Sequence, residues 1–153
     1  MKNKKIDTII YNGLGFPIKL INVPLRKALG EWVLDINLNQ LQITVLRILI
    51  QKKTALTGQE LNFIRNYLEV SVHAFAELFG ITDSIVSKCE SDEAKLNPGT
   101  EVCIRLYMLD HLHVKDKEFR KVYAQMNLKS FLRKESKSQK PIEIDAEEQQ
   151  LAA

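Results

Sequence analysis

Thr82, Asp83, Ser84, Ser87 and Lys88 fall within seven residues, near the middle of a 153-residue chain. A short helix capped by Thr82 would carry Asp83, Ser84, Ser87 and Lys88 on its outer face. Hydroxyls donate and accept, a lysine supplies a cation, and a carboxylate accepts from an amino group. Such a face suits recognition of phosphates and base edges rather than bond-making. Other chemistry finds less footing. The motifs G-x-S-x-G and H-E-x-x-H and a phosphate-cradling glycine loop are all missing from the sequence. No Cys, His and Asp are spaced as a nucleophile with its base, so the expectation is not an enzyme. Cys89 and Cys103 form no C-x-x-C pair, and His111 and His113 would diverge on a helix. No metal and no cofactor are therefore expected, and both thiols read as buried and reduced.

The elements that must hold this face follow from hydrophobic periodicity. Residues 5–37 read as strands: Ile6, Ile9, Ile10 and Tyr11, then the turn Asn12-Gly13-Leu14-Gly15, then Ile18, Leu20, Ile21 and Val23. Gly30 interrupts, and Trp32–Ile36 resumes. A small antiparallel sheet of two or three strands is expected, with Pro17 and Pro24 at edges. Phe16 and Trp32 read as anchors of that sheet on the helices.

From Asn37 the period becomes helical. Leu38, Leu41, Val45, Leu46 and Leu49 share one face, with Arg47 and Lys52 outside. Thr57-Gly58-Gln59-Glu60 is a capping-box pattern, followed by Leu61, Ile64 and Leu68. Ser71 caps a helix bearing Phe75, Ala76, Leu78 and Phe79, and Gly80 stops it. Thr82 caps the next, with Ile85, Val86 and Cys89 inward. Asn97-Pro98 opens a helix with Val102, Leu106, Leu109 and Leu112. A last amphipathic helix is expected over 113–134. Residues 135–153 carry no aromatic residue and read as a disordered tail, with Ile142–Asp145 able to dock only transiently. The expected domains are thus a β region over 1–36, a helical domain over 37–112, the helix 113–134 and the tail 135–153.

Ser71–Glu90 reads as helix, turn, helix. Where two helices cross at a steep angle, a small side chain such as Ala76 lets the backbones approach. Gly80 tolerates a left-handed turn, and Ile81 and Val86 plug the angle. Thr57–Leu109 resembles the lambda-repressor-like (Xre) helix-turn-helix family. The matching residues are Leu61, Arg65, Leu68, Ser71, Ala76, Leu78, Gly80, Ile81, Thr82, Val86, Ser87, Lys88 and Glu90. More narrowly, the chain is similar to the C-terminal domain of MqsA-type antitoxins and their zinc-free relatives. The paired cysteines of the zinc antitoxins have no counterpart here.

The resemblance implies a mainly α fold: a lambda-repressor-like helix-turn-helix bundle behind a small N-terminal antiparallel β-sheet, α+β overall. It implies a homodimeric, sequence-specific repressor of transcription that binds double-stranded DNA through residues 82–90. By position, Ser84 and Lys88 would read base edges, Ser87 would touch phosphate, and Arg65 would pair with Glu90. The chain also departs from the family. Val72 replaces a phosphate-bonding glutamine, Asp83 sets a carboxylate at the leading turn, and Cys89 replaces an aromatic residue. A second reading stays open: an antitoxin or other protein-interaction module with weak or no DNA binding, whose partner is a toxin protein.

Charge leaves both readings standing. The chain carries net +3. Residues 1–35 are net +3, residues 36–98 net −1, residues 99–134 net +4 and residues 135–153 net −3. A basic excess suits a polyanion but equally a solvated surface. Lys115, Lys117, Arg120, Lys121, Lys129, Arg133 and Lys134, interleaved with Phe119, Tyr123 and Phe131, could grip a phosphate backbone or pack on a partner subunit. Lys88 reads as a contact residue or a solvated lysine, and His73 as a surface residue. No apolar run approaches the roughly 18 residues that cross a bilayer, and the basic N-terminus lacks the apolar stretch of a signal peptide. The expectation is a cytoplasmic protein without a membrane partner.

Overall fold

A computed structural model describes residues 4–112 and 141–153. Among them are five helices and a four-stranded mixed sheet, so the class is α+β. The described residues form two compact units: 4–44 with 141–153, and 45–112. The boundary falls inside the first helix rather than at residue 36. The helix expected over 113–134 lies outside the described residues.

In the first unit, β1 (Lys4–Tyr11) and β2 (Ile18–Ala28) pair antiparallel, from Lys4 opposite Leu25 to Tyr11 opposite Ile18. β2 pairs antiparallel with β3 (Glu31–Leu34) through a two-residue turn at Leu29-Gly30. Both turn residues have positive φ, as a tight hairpin requires. The fourth strand corrects two expectations, since the sheet is mixed and residues 141–153 are ordered. β4 (Ile142–Asp145) runs parallel to β2 over Ile18–Ile21. Beyond it, Asn37 donates to the carbonyl of Leu151, and Ala153 donates to that of Asp35. Ile144, Ala146 and Leu151 are buried. Three apolar side chains thus hold a segment whose average composition is polar.

Because β1 covers one edge of β2 along residues 18–25, β3 and β4 share the other edge, with residues 22–24 between them. This corrects the expectation for Pro24, which lies inside the central strand. Its carbonyl accepts from Asp35, so its nitrogen faces the same edge, where β4 has ended and β3 has not begun. Asn22, at φ 54°, twists the strand there, and the buried set moves from Ile18 and Leu20 to Val23 and Leu25. Phe16 is buried, whereas Trp32 is 42 % exposed.

α1 (Leu38–Ile50) buries Leu41, Val45, Leu46 and Leu49, while Leu38 in its first turn is exposed. The second unit continues with α2 (Gly58–Tyr67), α3 (Val72–Phe79), α4 (Asp83–Glu90) and α5 (Pro98–His111). Each expected cap is present. Thr57 and Glu60 form the reciprocal box, Ser71 accepts from Ala74, Thr82 from Ile85 and Asn97 from Gly99. The inward face of α5 differs from expectation. Ile104, Arg105, Met108 and Leu109 are buried, whereas Val102 and Leu106 are half-buried and Cys103 is exposed. Apolar residues surround this helix, so its periodicity does not single out one face. No described helix is long and apolar enough to cross a membrane.

Candidate functional site

α3 ends at Gly80, whose φ of 67° is left-handed, and the chain re-enters a helix two residues later at the Thr82 cap. Ile81 N–H donates to the carbonyl of Ala76, closing the turn at 3.0 Å. Phe75, Ala76 and Val86 are at most 1 % exposed. The small Ala76 and the branched Val86 therefore lie within the packing of α3 and α4, as their spacing predicts.

α4 is fixed at its far end by α2. Arg65 Nε donates to Glu90 Oε1 at 2.6 Å and Nη2 to Oε2 at 3.3 Å, while Nη1 takes the Val70 carbonyl at 3.0 Å. This fork-to-fork pair satisfies the expectation that Arg65 is structural. Gly58 N–H donates to Asp92 at 2.8 Å. A Cβ at Gly58 would stand 2.4 Å from the Glu90 carbonyl oxygen, so only glycine admits this approach. Cys89 is buried beside it, where desolvation pushes its thiol up and Asp92 and Glu90 add to the effect.

With both ends of α4 held, one face remains open. Thr82, Asp83, Ser84, Ser87 and Lys88 are all exposed. The structure brings these five together on one helix, as expected. One neighbour was placed otherwise by the sequence, and another is exposed as expected but makes a pairing that the sequence did not suggest. Ile85, expected inward, is 40 % exposed, because Val86 and Cys89 define the buried side of the helix. His73, expected to be a plain surface residue, reaches from α3 to Asp83. Its Nδ1 lies 3.1 Å from each carboxylate oxygen, and its Nε2 lies 3.3 Å from Glu77 Oε1. The hydrogen bond to Asp83, then the charges of Asp83 and Glu77, raise its pKa above the ordinary 6.5. The one sequence signal for this pair is that both residues stand in the first turns of helices joined by a tight turn.

Among the described residues no group of three His, Cys, Asp or Glu is arranged to hold a metal ion. Compared with protein-family models, curated proteins and solved structures, the chain matches none.

Proposed function

We propose that the protein is a DNA-binding regulator of transcription, reading duplex DNA through the outer face of α4 as a helix-turn-helix homodimer of the lambda-repressor-like type. One observation carries the reading. A short helix is clamped at both ends, against α2 and through the Gly80 turn, while Thr82, Asp83, Ser84, Ser87 and Lys88 stay in water. A clamped helix with a bare polar face is pre-organised for a groove, and binding it costs little further ordering. Lys88 supplies the cation, Ser84 and Ser87 supply adaptable hydroxyls, and Asp83 is able to accept from a cytosine amino group. A homodimer would set two such helices about 34 Å apart.

The test is a titration of the full chain against duplex fragments of its own promoter at two salt concentrations. Lys88→Ala should weaken specific binding by roughly 1–3 kcal/mol if Lys88 reads a base edge. If it meets phosphate alone, all sequences should weaken alike and the salt slope should fall by about one. Exposed Leu78 and Ile85, together with the carboxylates of Glu77 and Asp83, favour a second reading, an antitoxin-like module whose partner is a toxin protein. Wild type that ignores DNA at low salt but holds a stable complex with another protein would select it.

A further inference from the structure

We propose that His73 is a positioning residue for the outer face of α4, and that association of DNA with this face takes up a proton on the His73 ring. The inference rests on the DNA-binding reading above.

Carboxylates flank both nitrogens of the ring. Nδ1 faces both oxygens of Asp83 at 3.1 Å, and Nε2 faces Glu77 at 3.3 Å. An ionised carboxylate only accepts. A neutral imidazole has one N–H and one lone pair, so it satisfies one of these carboxylates and turns its lone pair on the other. The imidazolium donates to both. The ring is therefore placed for its charged form. Glu77 acts on it from one turn along α3, and Asp83 from the first turn of α4. The contact of α5 with α3 is aromatic, Tyr107 against Phe79 at 5.5 Å, and adds no charge to the ring.

The consequence lies at the leading turn of α4. With a neutral ring, Asp83 and Glu77 present two uncompensated negative charges to an approaching phosphate backbone. With the ring protonated, one charge is offset, and Asp83 is drawn back to α3. A polyanion stabilises the added positive charge in turn, so DNA binding and proton binding reinforce one another. Affinity then rises as pH falls through the titration of His73.

The experiment is an anisotropy titration of a labelled promoter duplex with the full chain, at about pH 6 and about pH 8, values that bracket an ordinary histidine. Wild type should bind about fivefold more tightly at the lower pH, the effect of one unit charge at contact distance in water. His73→Gln keeps an amide that can donate to Asp83 but has no proton to gain, so its affinity should not change between the two pH values. Asp83→Asn should bind more tightly than wild type at the higher pH, and its remaining pH dependence should move to lower pH with the titration of the ring. If His73→Gln keeps the full pH dependence, or wild type binds DNA equally at both values, the proposal fails while the DNA-binding reading stands. No binding by wild type at either pH overturns both. An NMR titration of the His73 ring without DNA tests the pairing alone. Its midpoint should fall in Asp83→Asn, and an unchanged midpoint overturns the proposal whatever DNA does.

Discussion

Two charged clusters within residues 45–112 use the same kinds of groups, and water makes them opposites. His73, Glu77 and Asp83 lie in solvent, with more than half of each side chain exposed. Lys52, Glu60, Glu101 and Arg105 lie at the junction of α1, α2 and α5, where Arg105 and Glu101 are 1 % and 4 % exposed. In the buried cluster Arg105 donates to the carbonyls of Ile50, Lys52 and Thr54, which fixes the bend between α1 and α2. Glu101 takes the N–H of Leu56 and stands 3.7 Å from Arg105. Lys52 meets Glu60 at 2.6 Å, and Glu60 also takes the N–H of Thr57. Burial pushes Glu101 up despite the pull of Arg105, and pulls Arg105 down despite Glu101. Desolvation thus outweighs attraction for both partners, the usual balance inside a protein. The buried cluster earns its place by tying off backbone, and the exposed one is left with charge to offer a ligand.

The sharpest way to break this contrast is to cut the buried cluster. Arg105→Met should cost about 3–5 kcal/mol, because Glu101 loses its cation and three carbonyls lose a donor. Chemical denaturation measures this, and a loss below about 1 kcal/mol would mean that the loop does not depend on the arginine.

A smaller effect should touch both stability and the exposed cluster. Ala76→Leu should overpack α3 against α4 and cost about 1–3 kcal/mol. It should also move His73 away from Asp83, lowering the His73 titration midpoint. A stability loss without that movement would uncouple the buried core from the outer face.

The pH dependence of stability separates the clusters by sign. Glu101 is raised above its ordinary 4.5. Between the unfolded and folded values the native chain holds a proton that the unfolded chain has released. Glu101 therefore lowers stability as pH rises through that window, the reverse of a salt-bridged surface carboxylate. Denaturation midpoints followed from pH 4.5 upward should show this slope, and Glu101→Gln should remove it.

The smallest effect belongs to His73. Its folded pKa is raised, so its contribution is complete below 6.5 and disappears as pH rises through the folded value. The Tm difference between wild type and His73→Gln should be slight, present at low pH and absent at high pH. A large difference at both extremes would give His73 a packing role and erase the distinction between the two clusters.

What could be read from the sequence is what the chain decides locally. Thr57, Ser71, Thr82 and Asn97 cap helices because a side-chain oxygen reaches a backbone N–H two or three residues on. Gly80 takes a left-handed turn because no Cβ opposes it. Strand period gives way to helical period between Leu34 and Leu38. The pairing of Arg65 with Glu90, 25 residues apart, was expected on no such local ground, and the structure forms it. The five candidate residues of α4 share one short helix and its cap by the same local rules, whereas the side of that helix that faces water was set by packing.

Tertiary structure alone decided the rest, and each case depends on a partner remote in sequence. Residues 141–153 look too polar to fold until β2 offers a parallel edge. Nothing in the local sequence marks Arg105 as buried, and three carbonyls of the α1–α2 bend surround it. Ile85 looks inward until Val86 and Cys89 occupy the buried side of α4. His73 looks idle until the Gly80 turn brings Asp83 against its ring. Caps and turns are contests between neighbouring atoms, which a sequence displays directly. Burial and ionisation depend on which surfaces meet, and that is settled only when the whole chain has packed.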